Sequence, residues 1–364
     1  MHLGQVEAEL IYESHQLTKQ RRSIRKYIYG LMAFILGGSL IAYRCQKVDR
    51  PLVILVSLDG TRPEYLQRGL TPNLNKIGSG GYMSDMIPVF PSITFPNHYS
   101  LATGLIVGNV FYDPVLNDTF VYTDPVKNSE SKWWNGEPIW ITAVKNGLKS
   151  AVCFWPGSEA PVKGLYATYW KKFNQSTTID EKLGIIFNWI DLPPSQRPSI
   201  ISVYFPDIDH SGHVAGPNSE MVNNTLMEID NGFGKLMQGL VDRDIQSSTE
   251  IVVVSDHGMG STDPTKVIYM DDLVPEGDYD VIYNGVLVYL YPKDKTKTVE
   301  IAEKFKQEAK ASGNFRIWLK EEIPYDVHYN STRVGPILLI PEREWNFVFR
   351  SSYNPENPPF PKGS

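Results

Sequence analysis

Leu52-Val53-Ile54-Leu55-Val56-Ser57-Leu58-Asp59-Gly60 is an apolar, β-branched run that stops on a carboxylate and a glycine. A short continuous apolar run bounded by a turn signal reads as a strand buried on both faces, the pattern of a parallel sheet covered by helices. Ile200-Ile201-Ser202-Val203-Tyr204-Phe205 and Ile251-Val252-Val253-Val254-Ser255 repeat it, and Asp209 and Asp256 follow them. The carboxyl ends of parallel strands line the crevice of an open α/β sheet, so Asp59, Asp209 and Asp256 are expected to converge there.

Between these runs lie helical signals. Thr71-Pro72 reads as a helix start, with proline at the first helical position. From about Ser219 to Asp242, Val222, Leu226, Ile229, Phe233, Leu236 and Leu240 recur at helical spacing and read as one buried stripe. Further strands are expected in the Tyr283–Tyr291 alternation and in Pro336-Ile337-Leu338-Leu339-Ile340, and the proline-rich stretch from Asn354 to Pro361 reads as loop. No internal repeat, low-complexity tract or flexible linker divides residues 49–364, which are expected to form one domain. The 42% hydrophobic content of the 364-residue chain is enough for a sizeable core. A net charge of -6 with no basic stripe beyond the N-terminal region excludes a nucleic-acid-coating surface. Cys45 and Cys153 are the only cysteines, so no disulfide framework is expected.

The first fifty residues read differently. Lys19, Arg21, Arg22, Arg25 and Lys26 precede an uncharged run, Ile28–Tyr43, slightly shorter than the roughly 20 residues that span a bilayer. A cleaved signal peptide is the rival, but cleavage after Ala42 would place bulky Leu40 where a small residue is wanted. The basic flank predicts a cytosolic tail (1–26), a transmembrane signal-anchor (27–43) and a type II topology, with the rest lumenal or extracellular in the secretory pathway, vacuole or cell surface. The sequons at Asn117, Asn174, Asn223 and Asn330 all fall on that side, as expected of a glycoprotein.

Several short motifs carry chemistry. In Pro91-Ser92-Ile93-Thr94-Phe95-Pro96-Asn97-His98, Pro96 marks a first helical turn and puts Thr94 at a helix N-terminus, where the dipole favours an anion. Such a threonine is either a nucleophile or a helix cap. Asp209 and His213 are four apart and share a helix face, an acceptable oxygen and imidazole pair for Zn²⁺. Asp256 and His257 can bind one ion if the backbone turns, which Gly258 permits; a capping aspartate beside a core histidine is the other reading. Asp59 is a metal ligand or a turn aspartate. Beyond the N-terminal region the histidines open to metal work are His98, His210, His213, His257 and His328, with His210 expected to pack or to support a ligand.

Val56-Ser57-Leu58-Asp59-Gly60, Phe90–His98, Phe154-Trp155-Pro156-Gly157-Ser158-Glu159, Asp209–His213 and Ser255-Asp256-His257-Gly258-Met259 together resemble the nucleotide pyrophosphatase/phosphodiesterase family of the alkaline phosphatase superfamily, in the family's order. The membrane-anchored form is similar to fungal members. The resemblance implies an alkaline-phosphatase-like three-layer α/β sandwich with a mostly parallel central sheet. It also implies zinc-dependent hydrolysis of nucleotide pyrophosphate and phosphodiester bonds through a nucleotidyl-threonine. One zinc would be held by Asp59, Asp256, His257 and the Thr94 oxygen, the other by Asp209, His213 and a C-terminal histidine. Asn109 would bind a phosphoryl oxygen, and Phe95 and Phe173 would flank the base. The same zinc core can serve phospholipid headgroups or phosphomonoesters. A catalytically dead membrane glycoprotein is the non-enzyme reading, and the sequence carries no signal for an oligomeric state.

Two departures from the family pattern set further expectations. After Thr103-Gly104-Leu105 the chain passes directly to Ile106-Val107-Gly108-Asn109, omitting a family segment, so Asn109 is expected to fall short of the phosphoryl group unless the loop re-routes. Pro361-Lys362-Gly363-Ser364 stands where relatives read Gly-x-His-Gly-Tyr-Asp-Asn, so the second zinc is expected to lack a ligand and the chain to be impaired, with His328 a poor substitute. A gene-model or splicing artefact is expected to explain both more simply than selection does.

Overall fold

Strand β1 (Leu52–Leu58) anchors the architecture because its apolar side chains serve both faces of a sheet. The structure is a computed structural model that describes residues 51–104 and 108–364. The expected cytosolic tail, the 27–43 span, Cys45 and the 105–106 junction lie outside the described residues. After β1 come helices α1 (Pro72–Gly80) and α2 (Thr94–Thr103), the hairpin of β2 (Val110–Asp113) and β3 (Asp118–Val121), and α3 (Ile139–Lys145). Then follow β4 (Ser150–Cys153), β5 (Tyr169–Lys171), α4 (Ile179–Ile190), β6 (Ile200–Phe205), α5 (Asp207–Ala215), α6 (Glu220–Asp242) and β7 (Thr249–Val254).

Strands β5, β4, β6, β1 and β7 lie side by side in that order, all parallel. Ser57 pairs with Tyr204 on one side and Val254 on the other, so Asp59, the β6–α5 junction and Asp256 leave the same carboxyl edge. Helices cover both faces. Leu52, Ile54, Val56 and Leu58 join one core with Ile186, Leu226, Ile229, Phe233 and Leu236 of α4 and α6. Leu55 and Val152 face a second core, rich in tryptophan, that includes Tyr99 of α2 and Trp140 of α3. The expected burial on both faces holds for β1 and β6. It fails for β7, where Val252 is 44% exposed, because β7 is the edge of the sheet.

Local signals account for most helix boundaries. Ser219 caps α6 by accepting from the Val222 N–H, and the whole expected stripe is buried. Helix α1 begins at Pro72 as expected, but Thr71 makes no capping bond. The N–H groups of Asn73 and Leu74 instead donate to the buried carboxylate of Asp230 on α6, at 3.1 and 2.8 Å. A tertiary partner has taken over a local role. After β7 come β8 (Val267–Tyr269), β9 (Tyr279–Asn284), β10 (Leu287–Pro292), α7 (Thr298–Ser312), β11 (Phe315–Leu319), β12 (Ile337–Pro341) and β13 (Asn346–Val348). Strands β11, β12, β10 and β9 form a second, antiparallel sheet packed on α7 through Ile301 and Phe305. The 283–291 alternation is therefore a hairpin rather than one strand.

Asp230→Ala should leave two helix-terminal N–H groups without their charged acceptor and cost about 2–4 kcal/mol. Urea unfolding of the purified protein measures this, and a change within 0.5 kcal/mol, about the size of a neutral surface substitution, would show that Asp230 does not hold α1.

Candidate active site

The site forms where β1, β6 and β7 end. The N–H of Asp59 continues the β1–β6 ladder by donating to the Phe205 carbonyl at 3.0 Å, which turns its carboxylate into the crevice. Gly60 has φ +67°, and a Cβ there would lie 3.0 Å from the Asp209 Cα, so glycine answers both a left-handed conformation and a close approach. Its N–H donates to Asp256 Oδ1 at 3.1 Å. The chain bends at Asp256 and brings its carboxylate 3.2 Å from His257 Nε2; Gly258 needs no left-handed backbone for this and lies close to the Arg62 side chain.

Thr94 is the first residue of α2, after Ile93 in extended conformation, so it is not the cap. Its Oγ1 lies 3.3 Å from His257 Nε2. That nitrogen is 3.3 Å from Asp59 Oδ1 and 3.2 Å from Asp256 Oδ2. Asp209 and His213 sit on α5, Nε2 to Oδ2 3.2 Å apart. Ligand atoms of Asp59, Asp209 and His257 all lie within 4.8 Å of one another, as do those of Asp59, His98 and Asp256. Lys182, buried on α4, pins the start of α5 by donating to Asp207 at 2.8 Å.

The electrostatics mark the cluster as built for a cation. Asp59 and Asp256 are almost fully buried, and Asp59 Oδ1, Asp256 Oδ2 and Asp209 Oδ1 have no hydrogen-bond partner. Burial, then Asp256 and Asp209, push the Asp59 carboxyl well above the usual carboxylate range. Burial would raise Asp256 as well, but His257 and His98 outweigh it and hold that group well below the range. Burial lowers the His213 pKa, but Asp209 and the Gly363 carbonyl together outweigh it, for a net rise. Orphaned carboxylate oxygens next to imidazoles fit one or more divalent ions, because a cation supplies what the three oxygens lack.

Tyr204, Ser57 and Gly363, to which sequence reasoning gave no role, complete the site. The Tyr204 hydroxyl donates to Asp59 Oδ2 and leaves Oδ1 free. Burial, then Asp59, raise the Tyr204 pKa, so it remains a donor. His98 is buried, with Nδ1 2.8 Å from the Thr94 carbonyl and Nε2 2.8 Å from Ser57 Oγ. A carbonyl can only accept, so Nδ1 carries a proton, and Nε2 shares a hydrogen bond with the Ser57 hydroxyl. Both nitrogens are thus engaged; the signal was the i, i+4 spacing from Thr94. His213 Nδ1 donates to the Gly363 carbonyl at 2.6 Å, which turns Nε2 toward Asp209.

The remaining candidates fall into place unequally. Asn109 Oδ1 accepts from the Phe95 N–H at 2.9 Å, so the chain following Gly108 reaches the start of α2 and the Asn109 amide nitrogen is turned away from that bond. Phe95 packs near Tyr122, Phe120 and Trp134, with ring centroids 5.6, 5.9 and 6.1 Å away. Phe173, 41% exposed, lies 5.7 Å from Phe154 and 6.2 Å from Tyr204. The two rings therefore belong to different aromatic groups. His210 neither packs nor supports a ligand: it is exposed and meets Gln175 Nε2 at 3.3 Å. His328 is exposed and belongs to neither ligand group found among the described residues. Asn117, Asn174 and Asn330 are exposed, whereas Asn223 is half-buried and accepts from Arg68 at 2.7 Å.

Residues 53–363 match the family model described as type I phosphodiesterase/nucleotide pyrophosphatase. The chain is 36% identical over 348 residues to an uncharacterized pyrophosphatase/phosphodiesterase of Schizosaccharomyces pombe, covering 88% of this chain and 69% of that protein. It is 36% identical over 318 residues to ectonucleotide pyrophosphatase/phosphodiesterase family member 3 of Rattus norvegicus, covering 82% of this chain and 35% of the relative. The chain therefore spans about a third of the length of that mammalian relative. A solved structure of murine ectonucleotide pyrophosphatase/phosphodiesterase 5, an inactive threonine-to-alanine variant in complex with AMP, superposes with a TM-score of 0.79 at 29% identity. That match covers 86% of this chain and 83% of the murine chain.

A folded-state pKa raised above the unfolded value means that the unfolded chain loses the proton first. The metal-free fold thus keeps the Asp59 contribution below the ordinary carboxylate pKa and loses it as pH rises toward the raised value. Asp59→Asn should remove that loss. The metal-stripped variant should melt several degrees above the metal-stripped parent at neutral pH, with the difference shrinking toward about pH 4. Calorimetry in chelator measures it; equal or lower melting of the variant at neutral pH would show that the buried carboxylate carries no such strain.

Proposed function

Because the chain belongs to the type I phosphodiesterase/nucleotide pyrophosphatase family, we propose that it hydrolyses nucleotide pyrophosphate and phosphodiester bonds, with Thr94 as the nucleophile. The observation that carries this reading is the Thr94 hydroxyl at a helix N-terminus, 3.3 Å from an imidazole that also faces two buried carboxylates with unpartnered oxygens. In this reading Asp59, Asp256 and His257 would hold one zinc beside Thr94, and Asp209 and His213 would contribute to a second. When bound at these ligands, zinc would supply a lowered pKa for the threonine hydroxyl and neutralisation of phosphate charge.

The residues then act in sequence. The Thr94 oxygen attacks phosphorus, a nucleotidyl-threonine forms, and the pyrophosphate or other leaving group departs. Water enters in line and releases the nucleoside monophosphate, restoring the Thr94 hydroxyl. The free amide N–H of Asn109 donates to a non-bridging phosphoryl oxygen, and the N-terminal end of α2 adds its dipole. Phe95 and Phe173 offer ring surface to the base. AMP bound to the murine relative supports a nucleotide substrate. The parallel sheet with helices on both faces is consistent with the alkaline-phosphatase-like arrangement implied by the sequence.

Thr94→Ala should lower hydrolysis of a thymidine 5′-phosphate nitrophenyl ester by about 10³-fold or more, and should abolish the covalent nucleotidyl adduct, while AMP binding to zinc-supplemented protein persists. A variant that turns over near the parent rate would overturn the assignment.

The same reading includes a type II membrane glycoprotein: tail 1–26, span 27–43, and a domain from residue 49 in the lumen or outside the cell. Endoglycosidase should raise the gel mobility of the membrane-bound protein, with a smaller contribution from the Arg68-bonded Asn223 than from the three exposed sequons. No shift, with the N-terminus protected from protease, would reverse the topology.

A further inference from the structure

The second, antiparallel sheet has no part in the chemistry so far, yet its β9–β10 turn reaches the active site. Asn284, the last residue of β9, is completely buried. Its Oδ1 accepts two main-chain N–H groups, from Asn109 at 2.9 Å and from Val110 at 3.0 Å. Its Nδ2 donates to the Tyr289 hydroxyl at 3.1 Å, and that hydroxyl meets the one of Tyr329. The amide is therefore held in one orientation, acceptor toward the Asn109 turn and donor toward the tyrosines.

The next residue clamps the other side. Gly285 has φ +64°, and a Cβ there would lie 2.7 Å from Ile93 Cγ2, so the turn sits directly against the residue before Thr94. Gly108 closes on the Asn284 side chain in the same way, since a Cβ there would lie 3.1 Å from Nδ2. Every other polar group of Asn109 is also fixed. Its carbonyl accepts from the Tyr122 N–H at 3.0 Å, and its Oδ1 accepts from the Phe95 N–H at 2.9 Å. With its N–H on Asn284, the amide nitrogen is the one donor of Asn109 left for a ligand.

We propose that Asn284 is a positioning residue: from the β9–β10 turn it locks the backbone at Asn109 so that the free amide N–H of Asn109 is aimed at the phosphoryl group undergoing attack by Thr94. The proposal rests on the role given above to Asn109. A buried acceptor shared by two successive N–H groups fixes both position and tilt of the peptide, whereas packing alone leaves the turn able to slide. A displacement of about 1 Å in a group that binds the transition state lowers the rate by about 10²-fold. Ground-state binding, which also draws on the base and the metal, changes much less.

Two variants separate acceptor from bulk. Asn284→Leu has similar size and no acceptor; Asn284→Asp keeps the acceptor, and the Tyr289 hydroxyl can donate to it. In the zinc-supplemented full chain, Asn284→Leu should lose about 10²-fold in kcat with KM within about twofold, and Asn284→Asp should stay within about threefold of the parent. Hydrogen exchange followed by mass spectrometry should show faster exchange in Asn284→Leu over residues 108–112 and parent-like protection in Asn284→Asp. Parent-like kcat in Asn284→Leu, or an equal loss in Asn284→Asp, would overturn the proposal. If Asn284→Leu does not fold, Asn284→Ser decides, since its hydroxyl is too short to accept from both N–H groups: kcat about 10-fold or more lower with KM within about twofold supports the proposal, and an unchanged kcat overturns it. If the parent itself hydrolyses no nucleotide ester, the functional reading fails, and the locking of the turn stands or falls on the exchange pattern alone.

Discussion

Burying like charges side by side is the constraint on which this structure depends. Asp59 and Asp256 are 1% and 0% exposed and share a crevice with Asp209, an arrangement that opposes folding without a cation. Each carboxylate spends only part of its capacity on the protein. Tyr204 takes one oxygen of Asp59, Gly60 takes one of Asp256, and the opposite oxygens are left bare. Unequal partnering of this kind directs the free oxygens toward the common space. The stability lost there has to come from the two apolar cores on either face of the parallel sheet.

Those cores also set the precision of the site. Asp59 and Asp256 leave adjacent parallel strands, so their separation is fixed by the sheet ladder rather than by flexible loop. Asp209 and His213 ride on a helix whose start is pinned by the buried Lys182. Glycines permit the close approaches. Gly60 lets β1 turn beneath Asp209, and Gly212 sits where a Cβ would lie 3.0 Å from the Met259 side chain. Thr94 reaches the cluster because its helix starts at the same carboxyl edge, and His98 ties that helix to β1 through Ser57.

The second sheet reaches the site from outside the carboxylate and histidine cluster. Its β9–β10 turn braces both Ile93, before Thr94, and Asn109, which bonds the Phe95 N–H. Here the main chain at Asn109 is held by a residue some 175 positions away in sequence, and the hydroxyl pair Tyr289–Tyr329 supports that residue in turn.

By itself the sequence determined the parallel strands, the long α6 stripe, the placement of Thr94 at a helix start and the convergence of Asp59, Asp209 and Asp256, because each depends on short-range periodicity or on the rule that strand ends share an edge. The sequon positions and the Asp209–His213 pairing were legible for the same reason: i, i+4 spacing is a local property of a helix. Only tertiary structure decided the rest. It replaced Thr71 with Asp230 as the partner of α1, exposed one face of β7, turned His210 outward and gave His98 to Ser57 and Thr94. It also selected Tyr204, Gly363 and Asn284 as the groups that orient Asp59, His213 and Asn109. No periodicity encodes those pairings, since a hydrogen bond between distant segments depends on how whole layers pack, and packing is a property of the folded chain.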